Sequence, residues 1–420
     1  MARRPEFSLP QQSGSTHCFH AMVKPVGSAC NLNCQYCYYL HKADLLHQPR
    51  LPRMSDETLE EHIRQYIEAQ NGTEVIFSWQ GGEPTLLGLD FFRKIVDLQD
   101  RYRRPFQRIE NDLQTNGTLL NDEWAAFLRH HSFLVGLSLD GPAELHDRYR
   151  LTRGGQPTHA KVMAAADLLT KHDVPFSLLC VVNRENVRRP REVYRFLSAQ
   201  PGARTIQFIP CVEPTDFHRE APANWRSETT PAVGTPQARP GAPDSFVTEW
   251  SVDPVDWGIF LCDIWDMWLK HDYGRTHIDL FETAIAQSLG LPAQKCTTAE
   301  FCGKAMAMEH NGDVYSCDHF VYPEFHTGNI HSTHWGEMAY SERQQRFGYA
   351  KRDTLPRYCR DCPHLNLCWG ECPKNRFVRT PDGQPGLNYL CPGLKRFYGH
   401  VRRDLPDVLR RVRREQAIGI

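Results

Sequence analysis

Between His20 and Pro210 the chain alternates short β-rich runs with stretches of helical period. Ala21–Val26, Val75–Trp79, Arg108–Leu113, Phe133–Leu139, Phe176–Val182 and Thr205–Ile209 read as strands. Between them the pattern predicts helices at Ser55–Ala69, Asp90–Tyr102, Asp122–His130, Ala160–His172 and Arg191–Ala199. Acids near the helix starts, such as Asp56 and Glu57, complement the macrodipole. Strand and helix alternating in this way lead to parallel pairing, and six repeats suit a curved or partly closed (β/α)6, TIM-like barrel. The site of such a sheet lies in the loops after the strands.

Beyond Pro210 the pattern changes. Glu213 to Ser245 is rich in Pro, Ala and Thr and poor in periodic apolar residues, which predicts a mobile insertion or lid. Helical patterns resume at Asp256–Lys270 and Leu280–Leu289. From Cys296 come short strand-like pieces, turns and cysteines, a small unit that needs metal to hold it. Arg396 to Gln416 reads as a basic, solvated docking helix. The expected division is an extension (1–18), a barrel (19–255), a helical connector (256–295), a cysteine-rich domain (296–395) and a terminal helix (396–420).

Composition narrows the chemistry. With 40% hydrophobic residues among 420, a large core can be buried. Net charge is −1, so no global basic field recruits nucleic acid or anionic lipid. The N-terminus has no apolar signal region and no run of ~18 apolar residues occurs, so the expectation is a cytoplasmic protein without a membrane span. Of 15 cysteines, eleven are patterned: Cys30, Cys34, Cys37, Cys296, Cys302, Cys317, Cys359, Cys362, Cys368, Cys372 and Cys391. Such usage reads as metal binding and not as a disulfide framework. Cys18, Cys180, Cys211 and Cys262 fall outside the patterns and read as small core residues.

ACNLNCQYCYY, directly after the first strand, places Cys30, Cys34 and Cys37 as C-x3-C-x2-C. Three thiolates can hold three irons of a [4Fe–4S] cluster and leave the fourth open for a reactant. A zinc site would want a fourth ligand, for which His41 is the local candidate, and iron–sulfur is favoured. Gly81-Gly82-Glu83-Pro84, QTNG at Gln114–Gly117 and SLDGP at Ser138–Pro142 follow the next three strands. Each alone is an ordinary turn; together, in order behind a three-cysteine loop, they mark one site. The eight C-terminal cysteines make two complete four-thiol sites, for which spacing alone leaves zinc and iron–sulfur both open.

The C-x3-C-x2-C loop, with Tyr36 before its last cysteine, resembles that of the radical S-adenosylmethionine (SAM) superfamily, and the glycine turn resembles its GGEP element. The C-terminal pattern resembles a SPASM domain, a module carrying auxiliary clusters. From about Met22 to Tyr398 the chain resembles the anaerobic sulfatase-maturating enzymes, through KPVGSACNLNCQYCYY, WQGGEPTLLGL, LQTNGTLL, FLVGLSLDGP, NGDVYSCDHF and GLNYLCPG. That resemblance implies SAM contacts at Tyr36, Gly82, Ser138, Arg150 and Val212, the last where relatives can carry Leu. It implies three [4Fe–4S] clusters: one on the first loop, auxiliary cluster I on Cys296, Cys302, Cys317 and Cys372, and auxiliary cluster II on Cys359, Cys362, Cys368 and Cys391. Asp318 takes the position of the family's proton acceptor, although a carboxylate there could instead orient a cluster ligand. The implied reaction converts a Cys or Ser of an unfolded sulfatase polypeptide to Cα-formylglycine, with an electron donor such as flavodoxin or ferredoxin. A rival from the same group is a SPASM enzyme that builds thioethers or crosslinks in peptides; such an enzyme needs a leader-recognition module, and none is visible before Cys30. A second rival is a zinc-stabilised binding module.

Overall fold

A computed structural model describes residues 19–49, 51–222 and 230–418, with 411–418 described as backbone only. The expected extension 1–18, with Cys18, and the middle of the expected insertion lie outside the described residues. Ten strands form one sheet: β1 (His20–Lys24), β2 (Glu74–Trp79), β3 (Arg108–Thr115), β4 (Leu134–Ser138), β5 (Phe176–Val182), β6 (Ala203–Pro210), β7 (His277–Ile278), β8 (Ala305–Glu309), β9 (Asp313–Tyr315) and β10 (His326–Asn329). Their order is β10-β9-β8-β1-β2-β3-β4-β5-β6-β7. Pairing is parallel from β8 across to β7, whereas β8, β9 and β10 form an antiparallel meander. The six expected strands are thus the centre of a larger α/β sheet, flanked by β7 and by three strands of the cysteine-rich segment.

The crossover helices follow the sequence reading to within two residues, and two of them, Asp56–Ala69 and Asp122–His130, start at side-chain caps. Ser55 accepts from Thr58 N at 3.1 Å and Asn121 from Trp124 N at 2.9 Å. Under β2 the rings of Phe77 and Trp79 stack at 6.0 Å, and Phe92 and Trp124 extend this aromatic layer between sheet and helices.

Two segments add to the sequence reading. The terminal helix spans Cys391–Ile418, starting five residues before the expected Arg396, and it docks through an apolar stripe in which Leu394, Phe397, Tyr398, Val401 and Val408 are buried. It crosses the helix Pro254–His271 so closely that a Cβ on Gly258 would lie 2.6 Å from the Gly393 Cα. The described parts of 213–245 do not stand free as a lid. Arg379 N donates to Pro231 O, Val233 N donates to Arg379 O, and Arg379 Nε donates to Thr230 O, each at 2.9 Å. Next to them Phe246 stacks on Phe377 at 5.5 Å. A Pro- and Thr-rich stretch builds no core of its own, but it can borrow backbone partners from the cysteine-rich segment.

Candidate active site

The first cysteine loop leaves β1 and is locked to the turn after β2. Gly82 N donates to Gly27 O at 2.9 Å and Glu83 N to Ala29 O at 2.8 Å. A Cβ on Gly82 would sit 1.8 Å from the Ala29 carbonyl oxygen, so only glycine allows this approach. The buried Glu83 carboxylate accepts from Thr85 Oγ1 (2.6 Å), Thr115 Oγ1 (2.7 Å) and Asn116 N (2.8 Å), which ties the GGEP turn to the QTNG turn. Asn116 then donates to Asn31 Oδ1 at 2.9 Å and reaches the Cys30 sulfur at 3.7 Å. Burial pushes the Cys30 and Cys34 thiols up to about 12, and the neighbouring Cys37 sulfur adds to both. The three thiols therefore share one electrostatic neighbourhood, where loading a metal cluster releases protons.

Around Cys34 lies a residue that motif reading did not single out. Asp140, fully buried, accepts from the Tyr36 hydroxyl, from Arg150 Nε at 2.9 Å and Nη2 at 3.2 Å, and from Val181 N at 2.9 Å. Two of the positions expected to contact SAM, Tyr36 and Arg150, are thus fixed by one carboxylate. Its signal in the sequence was the acid inside SLDGP, indistinguishable there from a turn residue. Ser138 Oγ accepts from Gln114 at 3.1 Å. Val212 is buried, and its carbonyl accepts from Lys374 Nζ at 2.7 Å.

Asp318 stands beside Cys317 and faces β1. Its Oδ1 is ion-paired with Lys24 and its Oδ2 accepts from the Tyr38 hydroxyl. Burial pushes this carboxyl up, but Lys24 and His319 more than offset it, leaving Asp318 below the ordinary carboxylate value. Two further acids lie in the same electrostatic neighbourhood: Glu213, paired with Lys374 at 2.5 Å, and Glu309, which accepts from Tyr39 and, at 2.7 Å, from Gln48. His41, the alternative ligand considered for the first loop, packs its ring on Phe217 at 4.9 Å.

The eight C-terminal cysteines sort into two groups. The Cys317 thiol is pushed far up by burial and by Cys372, Cys296 and Cys302. The Cys391 thiol is raised by burial and by Cys368, Cys359 and Cys362, and these four line one cavity. A zinc ion bound by thiolates at about 2.3 Å would hold its sulfurs about 3.8 Å apart. Among the described residues, no three of these cysteines gather their sulfurs within 4.8 Å; the one set of possible ligands that does is Asp266, His400 and Asp404. The described cysteines form no disulfide, and Cys180, Cys211 and Cys262 are buried. Among the described residues no helix is long and apolar enough to cross a membrane.

A glycine-cradled three-cysteine loop at the strand ends, sharing its sheet with a thiol-rich segment, defines the class, and comparison with known proteins agrees. The profile of the Radical SAM superfamily matches residues 25–197, and that of SPASM, an iron–sulfur cluster-binding domain, matches 296–363. This is a radical SAM enzyme with a SPASM domain. A serine-type anaerobic sulfatase-maturating enzyme of Bacteroides thetaiotaomicron is 45% identical over 398 residues, 95% of this chain and 93% of the relative. A cysteine-type counterpart of Clostridium perfringens is 31% identical, covering 93% and 98%. The solved structure of native anSMEcpe with bound AdoMet and Cp18Cys peptide superposes with a TM-score of 0.78 at 30% identity, covering 94% of this chain and 99% of that one. The chain belongs to the anaerobic sulfatase-maturating enzymes.

Proposed function

We propose that the enzyme oxidises one serine or cysteine of an unfolded sulfatase segment to Cα-formylglycine, in the cytoplasm and without O2. The observation that carries this reading is Asp318: an ionised, buried carboxylate next to Cys317, held by Lys24 at the end of the strand that feeds the first cysteine loop. Cys30, Cys34 and Cys37 would hold the SAM-binding cluster, with Tyr36, Gly82, Ser138, Arg150 and Val212 against SAM. Cys296, Cys302, Cys317 and Cys372 would hold auxiliary cluster I, and Cys359, Cys362, Cys368 and Cys391 auxiliary cluster II, three clusters in all. When bound, these groups supply the hydrogen-abstracting radical and an acceptor for the leftover electron.

Going from alcohol to aldehyde, the target loses a hydrogen atom from Cβ, a proton from Oγ and one electron; a cysteine target gives a thioaldehyde that water then hydrolyses. Asp318 accepts the proton, while Lys24 and Tyr38 keep its carboxylate from rotating. Asp140 holds Arg150 and Tyr36 in place for the cofactor. A donor such as flavodoxin or ferredoxin would supply the reducing electron. The higher identity to a serine-type relative supports serine as the target.

The test is a pair of peptides differing only in Ser or Cys, incubated anaerobically with enzyme, SAM and a strong reductant. Formylglycine appears as a mass loss of about 2 Da from Ser or about 18 Da from Cys, with aldehyde reactivity. Deoxyadenosine formation with neither peptide changed removes the sulfatase reading and leaves the class. A loss of about 2 Da without an aldehyde moves it to the crosslinking enzymes.

A further inference from the structure

The acids around Asp318 are all engaged: Asp318 by Lys24, Glu213 by Lys374, and Glu309 by Tyr39 and Gln48. One cation is left over. Lys42, just past the first cysteine loop, is 1% exposed, and its Nζ has no hydrogen-bond partner among the described residues. The ammonium lies over the Tyr322 ring, 3.2 Å from its centroid. Burial pulls Lys42 down to about 7, against the upward pull of Glu213, Asp318 and Glu309, so it shares their neighbourhood. Its chain neighbour His41 also has both ring nitrogens buried without a hydrogen-bond partner among the described residues. A buried ammonium with three unused donors is costly, and a face of a tyrosine compensates only part of that cost.

We infer that Lys42 is a substrate-binding residue, whose ammonium donates a hydrogen bond to a main-chain carbonyl oxygen of the sulfatase peptide next to the residue to be oxidised. A neutral carbonyl satisfies the donor without adding charge to a site whose acids are already engaged, and every peptide carries one. Tyr322 supplies the aromatic wall beside the ammonium, and Phe217 packs on the neighbouring His41 ring. The inference rests on the reading that a peptide enters beside Asp318.

The experiment measures anaerobic binding of a fluorescent serine-containing peptide from an unfolded sulfatase segment to reconstituted, SAM-loaded enzyme, together with the melting temperature of each holoenzyme. Lys42→Met is expected to bind the peptide about 10- to 100-fold more weakly, the worth of a hydrogen bond to a charged group, while melting at an equal or higher temperature. Exposed Lys171→Met serves as the charge control and should bind as wild type does. Replacing peptide carbonyls one at a time by thioamides should weaken wild-type binding at one position and leave Lys42→Met unaffected there. Unchanged affinity in Lys42→Met, or a weaker affinity accompanied by a lower melting temperature, overturns the inference. If the wild type oxidises the peptide and Lys42→Met binds it equally well, the Lys42 inference alone falls. If the wild type does not bind the peptide, both readings fall.

Discussion

Asp318 and Lys24 are buried as a pair, and removing one member leaves the other without its counter-charge. Lys24→Met is expected to destabilise the fold by about 3–5 kcal/mol, and the double variant with Asp318→Asn by less than the sum of the singles, in a double-mutant cycle of melting curves. Asp318→Asn alone should lower formylglycine formation at least about 100-fold with iron content kept. Unchanged turnover would make this acid structural. Lys42 carries a pH prediction. Its folded value near 7 lies below the ordinary 10.5, so between these limits the folded chain binds fewer protons than the unfolded one. The burden is full below pH 7 and lifts towards pH 10.5, so the melting-temperature advantage of Lys42→Met over wild type should narrow from pH 7 to pH 9. A constant gap would show that the two melts do not differ by this ionisation. Cysteine loops were legible in the sequence because their members are chain neighbours with a narrow spacing. Lys24, Lys42, Asp140 and Lys374 were not, because each acquires its chemistry from partners far along the chain.

At the scale of elements, two close approaches set what the sequence can change. Gly82→Ala pushes a methyl group into the Ala29 carbonyl, so the first cysteine loop has to move. Its expected effect is loss of about four irons and of deoxyadenosine production, with about eight irons kept. Gly258→Ala acts where two helices cross and should cost about 1–3 kcal/mol, read as a lower melting temperature. The central strands were readable because β-branched and aromatic runs between turn residues have few other homes; β5 alternates buried and half-buried residues along its whole length. The strand Ala305–Glu309, in sequence AMAME, carries no such bias, and nothing local announces that it pairs with β1. The described end of the 213–245 stretch shows a related limit: composition reports what a segment can do alone, whereas Thr230, Pro231 and Val233 are held by Arg379.

For the molecule as a whole, the three proposed clusters predict about twelve irons per reconstituted chain, and Cys30/Cys34/Cys37→Ala should keep about eight while losing SAM cleavage. Fewer irons in that variant than the two auxiliary sites require would show that the sites load interdependently. The sheet is what joins them: β8, from the cysteine-rich segment, lies in register beside β1, Met22 opposite Ala307 and Lys24 opposite Glu309. During synthesis this has a cost in time. The partner for the outer edge of β1 leaves the ribosome roughly 280 residues after β1 itself, about 15–60 s later at ordinary elongation rates. Until then that edge carries unpaired backbone donors and acceptors, open to pairing with another chain. Yield of active enzyme should therefore respond to translation speed and to chaperones that shield nascent strands, far more than a domain closed by its own neighbours would.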